Sequence, residues 1–425
     1  MLSWLTRRPR FGPLEPWQRD QYVVVSTVAL AHVAFDLTQP FIPLYVRELG
    51  VTDLADAAFW SGIIVGTGPL GSGLMGPVWG AMADRVGRKP MVLRAMIMIG
   101  IMQVAMAFAP NVQVLLGLRV LMGLFAGFTP MVMALAISVS PREKMAQAIG
   151  MVQAATFLPL AIGPTIGGVI SDTVGLRTNF VLTGVLLLIP AALLYFMVKE
   201  PEFGGAAGKR SAEAGPRGSV LALLAMPGFA AAVGIMFLAR FTDRALPPIL
   251  PLYLIELNTP TAQLATITGF VVACGAVAAA CSSMLYGRWA RPELTRRLLL
   301  IALAGGAVCS VLIALVTGWM EVVAVRIVLG LLAGGTMSLA YTMGARLAPP
   351  SRSGLTLSML SSGGQLGGAL SPMMAGMVSQ ISLSAALLAN AGAYLVAFAL
   401  AALPSTGRVA AAEQTSPEQA SSKQA

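Results

Sequence analysis

The chain has 425 residues, is 56% hydrophobic and 11% charged, and carries a formal net charge of +10 with a mean hydropathy of +0.78. Apolar runs of about 20 residues recur along its whole length, enough to cross a bilayer as helices, which excludes a soluble globular enzyme. Alternating ten-residue strand patterns are lacking, so a β-barrel is excluded too, and Cys274, Cys281 and Cys309 fall in apolar runs without CxxC spacing, which argues against a disulfide framework or a thiolate metal site.

Residues 1–20 form a basic segment that leads directly into a long apolar run containing Asp36, so the first helix is expected to be retained rather than cleaved. Twelve spans are predicted at roughly 21–46, 58–83, 90–109, 112–138, 145–170, 176–198, 221–255, 262–287, 295–317, 319–346, 354–378 and 382–404. Two six-span halves, 21–198 and 221–404, flank a Gly- and Ala-rich polar linker at 199–220, and residues 405–425 read as a disordered tail.

Charges inside the spans are the exceptional residues. Asp36 sits in the middle of span 1, four residues before Pro40. A carboxylate at that depth is costly and should face a cavity or a partner. A low dielectric favours the neutral acid and a nearby cation favours the carboxylate, so the two together make a usable proton switch. Arg119 of span 4 is the candidate cation, with a static buried ion pair as the alternative. His32 lies one turn earlier on the same face, either as a relay or as a structurally satisfied ring. Span 7 carries "RFTDR", in which Arg240 and Asp243 are spaced for an intrahelical pair and Arg244 is left over. With Arg326 of span 10, the interior holds four cations against two acids, a net of +2 that favours anionic or zwitterionic amphiphiles over multiply cationic dyes.

Span 5 contains "FLPLAIGPTIGG", with two prolines and three glycines at lipid depth. Each proline deletes a backbone hydrogen bond and a kink is expected, while the glycines let a neighbouring helix approach. The segment is either a bent helix packed on the other half, where it limits leakage, or ordinary glycine-rich packing. The 24 methionines suit a pocket that accepts varied shapes. Phe35, Phe41, Tyr45, Phe128, Phe157, Phe237 and Tyr253 are candidate lining residues, the alternative for most being lipid-facing or core positions.

Of the 28 Lys and Arg, 22 fall on one side of the spans, two on the other and four inside them. The positive-inside rule then places both termini and the central linker in the cytoplasm, and it accounts for the basic balance without a nucleic-acid partner. Some of these cations will touch anionic lipid headgroups. The halves repeat at an offset near 207: "PFIPLYVREL" at 40–49 returns as "PILPLYLIEL" at 248–257, and "LRVLMGLFAG" at 118–127 as "VRIVLGLLAG" at 325–334. This is a parallel repeat about an axis along the membrane normal, with the substrate site expected between the halves near the midplane. A flexible linker between two large apolar halves suits a rocking transporter rather than a single-file channel.

With these residues in place, the chain resembles the major facilitator superfamily and, within it, the twelve-helix drug/proton antiporters of the bacterial multidrug efflux type. The family's loop pattern between spans 2 and 3 is matched by Gly80, Asp84, Arg85, Gly87, Arg88 and Lys89. Arg119 and Gly123 match the span-4 pattern, where Met122 and Phe125 depart from the usual Gln and Gly. Gly150, Gly163, Pro164, Gly167 and Gly168 match the antiporter pattern of span 5, with Pro159 where a Gly is usual, and Pro40 and Pro43 match the two prolines of span 1. The resemblance implies an all-α polytopic fold of twelve helices in two pseudo-symmetric halves, in the bacterial inner membrane. It implies export of small amphiphilic compounds in exchange for protons, without a cofactor or metal, by a monomer. It also implies that Asp84 closes a cytoplasmic latch on the N-terminal end of span 11 near Ser353 and Gly354, with Arg142 or Arg346 completing the network and Arg291 at the equivalent place in the other half. A transporter of one metabolite, such as a sugar or organic acid, is the nearest alternative, and a transporter-like receptor a more distant one. No nucleophile–base set or phosphate loop points to an enzyme or an ATP-driven pump.

Overall fold

The computed structural model describes residues 15–141, 144, 148, 151–152, 155–198, 228–289, 292–346 and 353–403. The predicted linker at 199–220, the tail, Arg142, Gly150 and Arg291 lie outside the described residues, so their assigned parts stay expectations.

The described residues are helical and follow the twelve-span order. Span 1 is Pro16–Asp36, a short turn at Gln39–Phe41, and Ile42–Glu48. Span 2 is Leu54–Val86, span 3 is Arg88–Ala107, and span 4 is Val112–Phe125 followed by Phe128–Ser138. Spans 5 and 6 are Phe157–Val174 and then Leu176–Leu186 with Leu188–Met197. Span 7 is Phe229–Ala245 with Leu250–Glu256, and span 8 is Leu264–Trp289. Spans 9 and 10 are Pro292–Leu315 and Trp319–Ala333 with Thr336–Arg346, and Ser353–Val378 and Leu383–Ala402 close the chain as spans 11 and 12.

Several spans predicted as single helices are broken. Pro40 and Pro43 cannot donate to the turn before them, and span 1 opens between Asp36 and Gln39. Span 4 breaks at Ala126–Gly127, where Gly127 takes φ +95°, a left-handed conformation that favours glycine. Carbonyls freed by that break need donors at membrane depth. Trp79 Nε1 donates to Leu124 O at 2.7 Å, Arg94 Nη2 donates to Phe125 O at 3.2 Å, and the Arg94 guanidinium stacks on the Trp79 ring at 3.5 Å. Span 10 interrupts at the equivalent place, where Tyr286 Oη donates to Leu332 O at 3.0 Å and Ser283 Oγ to Gly334 O at 2.9 Å. The expected kink at Pro159 takes another form. Pro159 lies in the first turn of Phe157–Val174, just after a turn at Ala155–Thr156, where a missing N–H breaks no helical bond.

The repeat seen in the sequence is a repeat of contacts. Tyr45 Oη donates to Met106 O and Tyr253 Oη to Ile313 O, each at 2.7 Å. Lys89 Nζ caps the end of span 6 through Tyr195 O and Val198 O, and Arg296 caps the end of span 12 through Ala401 O and Ala402 O. Cations at helix C-termini satisfy carbonyls that have no intrahelical partner.

The halves meet along two span pairs, 5 with 8 and 2 with 11, and small residues set the approach. A Cβ on Gly168 would strike Ala265 O and one on Gly269 would strike Pro164 O; at the related places, a Cβ on Gly376 would lie 2.7 Å from Ala58 O and one on Gly62 would strike Pro372 O. Backbone-to-backbone contact of this kind requires glycine.

Candidate functional site

Where span 1 opens, it presents a set of polar and charged groups at mid-depth. Asp36 is the last residue of Pro16–Asp36, half-buried, and span 5 approaches it closely. A Cβ on Gly163 would come within 2.7 Å of Asp36 Cβ and 3.1 Å of Val33 O, and one on Gly167 would strike Leu37 O. Asn179 fastens the same corner by donating to Leu37 O at 2.8 Å, Gly167 O at 3.1 Å and Ser171 Oγ at 2.9 Å. The span-5 glycines therefore divide their work. Gly163 and Gly167 seat span 1 at Asp36, while Gly168 and the Pro164 carbonyl face span 8 of the other half.

Arg119 was the expected cation for Asp36, and its contacts lie elsewhere. It is 2% exposed, its Nη2 donates to Gln39 Oε1, and its guanidinium lies 5.7 Å from the Phe35 ring centre. Its Nε is buried without a partner. The sequence reading missed Gln39, whose signal was a polar side chain beside Pro40 at lipid depth. Thr38 accepts a 3.2 Å hydrogen bond from Gln103 Nε2, which completes the polar lining of the break.

The charge that acts on Asp36 comes from the other half. Arg244 is the cation whose field reaches both Asp36 and His32. Nor is Arg244 left over, as the spacing suggested. Asp243 Oδ2 stands 3.8 Å from Arg240 Nη1 and 3.7 Å from Arg244 Nε, bridging the two guanidiniums. The three side chains are 32%, 52% and 46% exposed for Arg240, Asp243 and Arg244. Charges so exposed within an apolar span are costly against lipid and call for polar surroundings. Arg240 Nη1 also lies 3.4 Å from the Met337 sulfur. Arg326 lies against Gly275, whose Cβ would meet its Nε at 3.0 Å; that Nε has no hydrogen-bond partner, and the charge of Asp243 reaches it.

The repeat relates these groups directly. At the 208-residue offset that maps Pro40 on Pro248 and Tyr45 on Tyr253, His32 maps on Arg240, Phe35 on Asp243 and Asp36 on Arg244. The first half carries the lone acid, and the second carries two bases around an acid.

The remaining predicted residues divide. His32 packs its ring edge-on to Phe128 at 6.0 Å, with a buried Nε2 lacking a partner. Phe237 stacks on Phe241 at 6.1 Å. Tyr45 and Tyr253 do not line a cavity. Both rings are buried, Tyr45 packs on Phe180 at 4.8 Å, and each hydroxyl is taken by a carbonyl of the neighbouring span, which leaves no polar group for a ligand. Phe41 is likewise fully buried. The Phe157 side chain lies outside the described residues.

In the predicted latch loop, Asp84 and Arg85 end span 2, Gly87 takes φ +111° and ψ 151°, and Arg88 and Lys89 start span 3. Only glycine adopts that turn without strain, which accounts for its place in the motif. Gly80 has open space around it, and Arg85 is exposed. Lys89 Nζ reaches span 6 of its own half through bonds of 2.8 and 2.7 Å. The Asp84 side chain lies outside the described set.

Comparison with known proteins agrees with this architecture. The Major Facilitator Superfamily profile matches residues 24–292 and 232–424. The chain is 30% identical over 333 residues to the multi-drug resistance efflux pump PmrA homolog of Lactococcus lactis subsp. lactis (strain IL1403), covering 78% of this chain and 81% of that one. It is 31% identical over 328 residues to the multidrug resistance protein MdtG of Rahnella sp. (strain Y9602), covering 77% and 79%. Among solved structures, a bacterial homolog to the human lysosomal transporter Spinster, inward-facing and unoccupied, superposes with a TM-score of 0.73 at 18% identity over 94% of this chain and 98% of that one. The human organic anion transporter MFSD10 (TETRAN) gives 0.63 at 16% identity, over 91% and 100%. These structures establish the fold alone. The chain is a multi-pass membrane transporter and belongs to the Major Facilitator Superfamily, in the company of the bacterial multidrug-efflux proteins it matches.

Proposed function

We propose that the protein exports small amphiphilic compounds, antibiotics among them, in exchange for protons by alternating access. The observation that carries this reading is the placement of Asp36. It is the acid in the middle of span 1, at a break in that span, under the field of Arg244 from the other half. A carboxylate at lipid depth that faces a cation across a moving interface binds or releases a proton as that distance changes. The groups that support substrate binding are Arg240, Asp243, Arg244 and Arg326, with Phe35, Phe128 and Phe237 as apolar neighbours. Arg119 and His32 are assigned to positioning around Asp36.

The Lys- and Arg-rich face is taken as cytoplasmic, with both termini and the 199–220 linker on it, and the membrane as the bacterial inner membrane. The chain acts as a monomer. Asp84, with Arg85, Arg88 and Arg142, forms the cytoplasmic latch; replacing Asp84 with Asn shifts the resting population toward the inward-open form. The names of the relatives, which are multidrug-efflux proteins, support the substrate class.

The test is proton-driven uptake into energised inverted vesicles, with a panel of antibiotics and dyes. Wild-type protein should accumulate a subset of the panel and release protons in return. Asp36→Asn should lose proton-driven uptake while keeping its folded, monodisperse state. Uptake by that variant at the wild-type rate removes Asp36 from the coupling step.

A further inference from the structure

The outer ends of the two halves, opposite the basic face, are held together by side chains that cross the interface. Asp172, near the end of span 5, accepts three hydrogen bonds from the start of span 8. Ala265 N donates to its Oδ1 at 3.2 Å, Thr266 N to its Oδ2 at 2.7 Å, and Thr266 Oγ1 to the same oxygen at 2.6 Å. Gln380, at the end of span 11, donates through Nε2 to Ala55 O at 3.0 Å and Asp56 Oδ1 at 3.3 Å in the first turn of span 2. Asp172 and Gln380 are 208 residues apart, so the repeat places them at the same corner of each half.

The two clamps differ in chemistry. Asp172 brings a full charge to the positive end of a helix and is half-buried, whereas Gln380 is a neutral donor and exposed. Below each clamp the glycine contacts continue inward. Gly168 and Gly269 close spans 5 and 8, and Gly62 and Gly376 close spans 2 and 11. The backbones there are in direct contact, and the side chains at the rim bridge the same seam.

From this geometry we infer that Asp172 is the positioning residue of the outer gate. Its carboxylate holds span 8 against span 5 while the outer face is shut, and this contact must break in each cycle before the outer face opens. The inference rests on the alternating-access reading. It adds a one-sided lock: the Asp172 corner carries most of the hold and the Gln380 corner little. One acid then serves each face, since the equivalent of Asp84 is Arg291 and that of Asp172 is Gln380.

The experiment uses the full chain in lipid nanodiscs, with Cys274, Cys281 and Cys309 replaced by Ser and spin labels at the exposed positions Val174 and Ala262. Pulsed electron resonance gives the populations with the outer ends together and apart. Asp172→Asn should raise the ratio of apart to together by about tenfold or more, the scale of a lost charge-assisted hydrogen bond to backbone N–H groups. Thr266→Val, which removes only the hydroxyl, should move the ratio the same way by less. Gln380→Ala should move it least, and Asp172→Glu should restore part of the hold. Thermal unfolding of each variant checks that it is folded. A folded Asp172→Asn variant with the wild-type distance distribution overturns the proposal, as does a Gln380→Ala shift larger than that of Asp172→Asn. Asp172→Asn placed in an Asp36→Asn background, with the same labels, separates the two readings. A widened outer distance there upholds the gate whatever transport does, and transport retained by Asp36→Asn counts against the coupling reading alone.

Discussion

Asp36 and Arg244 occupy equivalent places in the two halves, an acid in one and a base in the other, and the charge of Arg244 reaches Asp36 across the interface. A symmetric repeat with opposite charges at its centre has a built-in attraction when the halves are close and loses it when they part. The neighbouring ion pairs with Asp243, being half exposed, hold the second-half cations only weakly.

The net charge of the central groups leads to a testable expectation about substrates. Arg119, Arg240, Arg244 and Arg326 outnumber Asp36 and Asp243 inside the spans, leaving an excess of two positive charges. Efflux assays that pair anionic or zwitterionic amphiphiles with dicationic dyes of similar size should favour the first group. Arg244→Gln should narrow that difference by several fold. A clear preference of the wild type for dications contradicts this account of the cavity.

The glycines of span 5 separate sharply from glycines that meet nothing. Gly163→Ala and Gly167→Ala force a methyl onto Asp36 and the Leu37 carbonyl, whereas Gly73 and Gly76 have open space around them. The first two substitutions should each cost about 1–3 kcal/mol, the range for overpacking, and should slow transport. Gly73→Ala and Gly76→Ala should be silent in both melting temperature and efflux. Equal effects in the two sets would show that span 5 is less tightly seated than this structure has it.

Tyr45 and Tyr253 act as structural ties. Removing either hydroxyl takes a buried donor from the carbonyl of Met106, which keeps Ala109 N at 3.1 Å, or of Ile313. Tyr45→Phe and Tyr253→Phe should each lower stability by about 1 kcal/mol and leave the relative efflux of different compounds unchanged. An altered substrate spectrum in either variant would restore these rings to the binding surface.

Gln39 is the hydrogen-bond acceptor for a buried cation. Gln39→Leu should destabilise the protein by about 1–3 kcal/mol, because Arg119 is then left buried without it. The double variant with Arg119→Leu should be less destabilised than the sum of the single changes, a coupling that a double-mutant cycle reads directly. Additive losses would mean that the two residues do not depend on each other.

The charges inside the spans were legible residue by residue. Asp36, Arg119 and the "RFTDR" stretch stood out because a charge in an apolar run is visible in one dimension. The Gly87 turn and the span-5 glycines were visible for the same reason. Gln39, Asn179 and Asp172 were not, because each matters through a partner more than ten residues away, or on another span, and polar residues of these types are common near span ends. Tyr45 and Tyr253 were misplaced because an aromatic ring on a helix can face core, lipid or cavity, and sequence spacing does not say which.

Local physics therefore determined the class, the twelve spans, their repeat and the basic face: apolar length, residue periodicity and the placement of Lys and Arg are properties of short segments read one at a time. Tertiary structure alone decided which cation's field reaches Asp36, which side chain receives Arg119, and which residues bridge the outer ends. Those outcomes depend on how each helix is rotated and how closely its neighbours approach, and glycine contacts between distant segments set both.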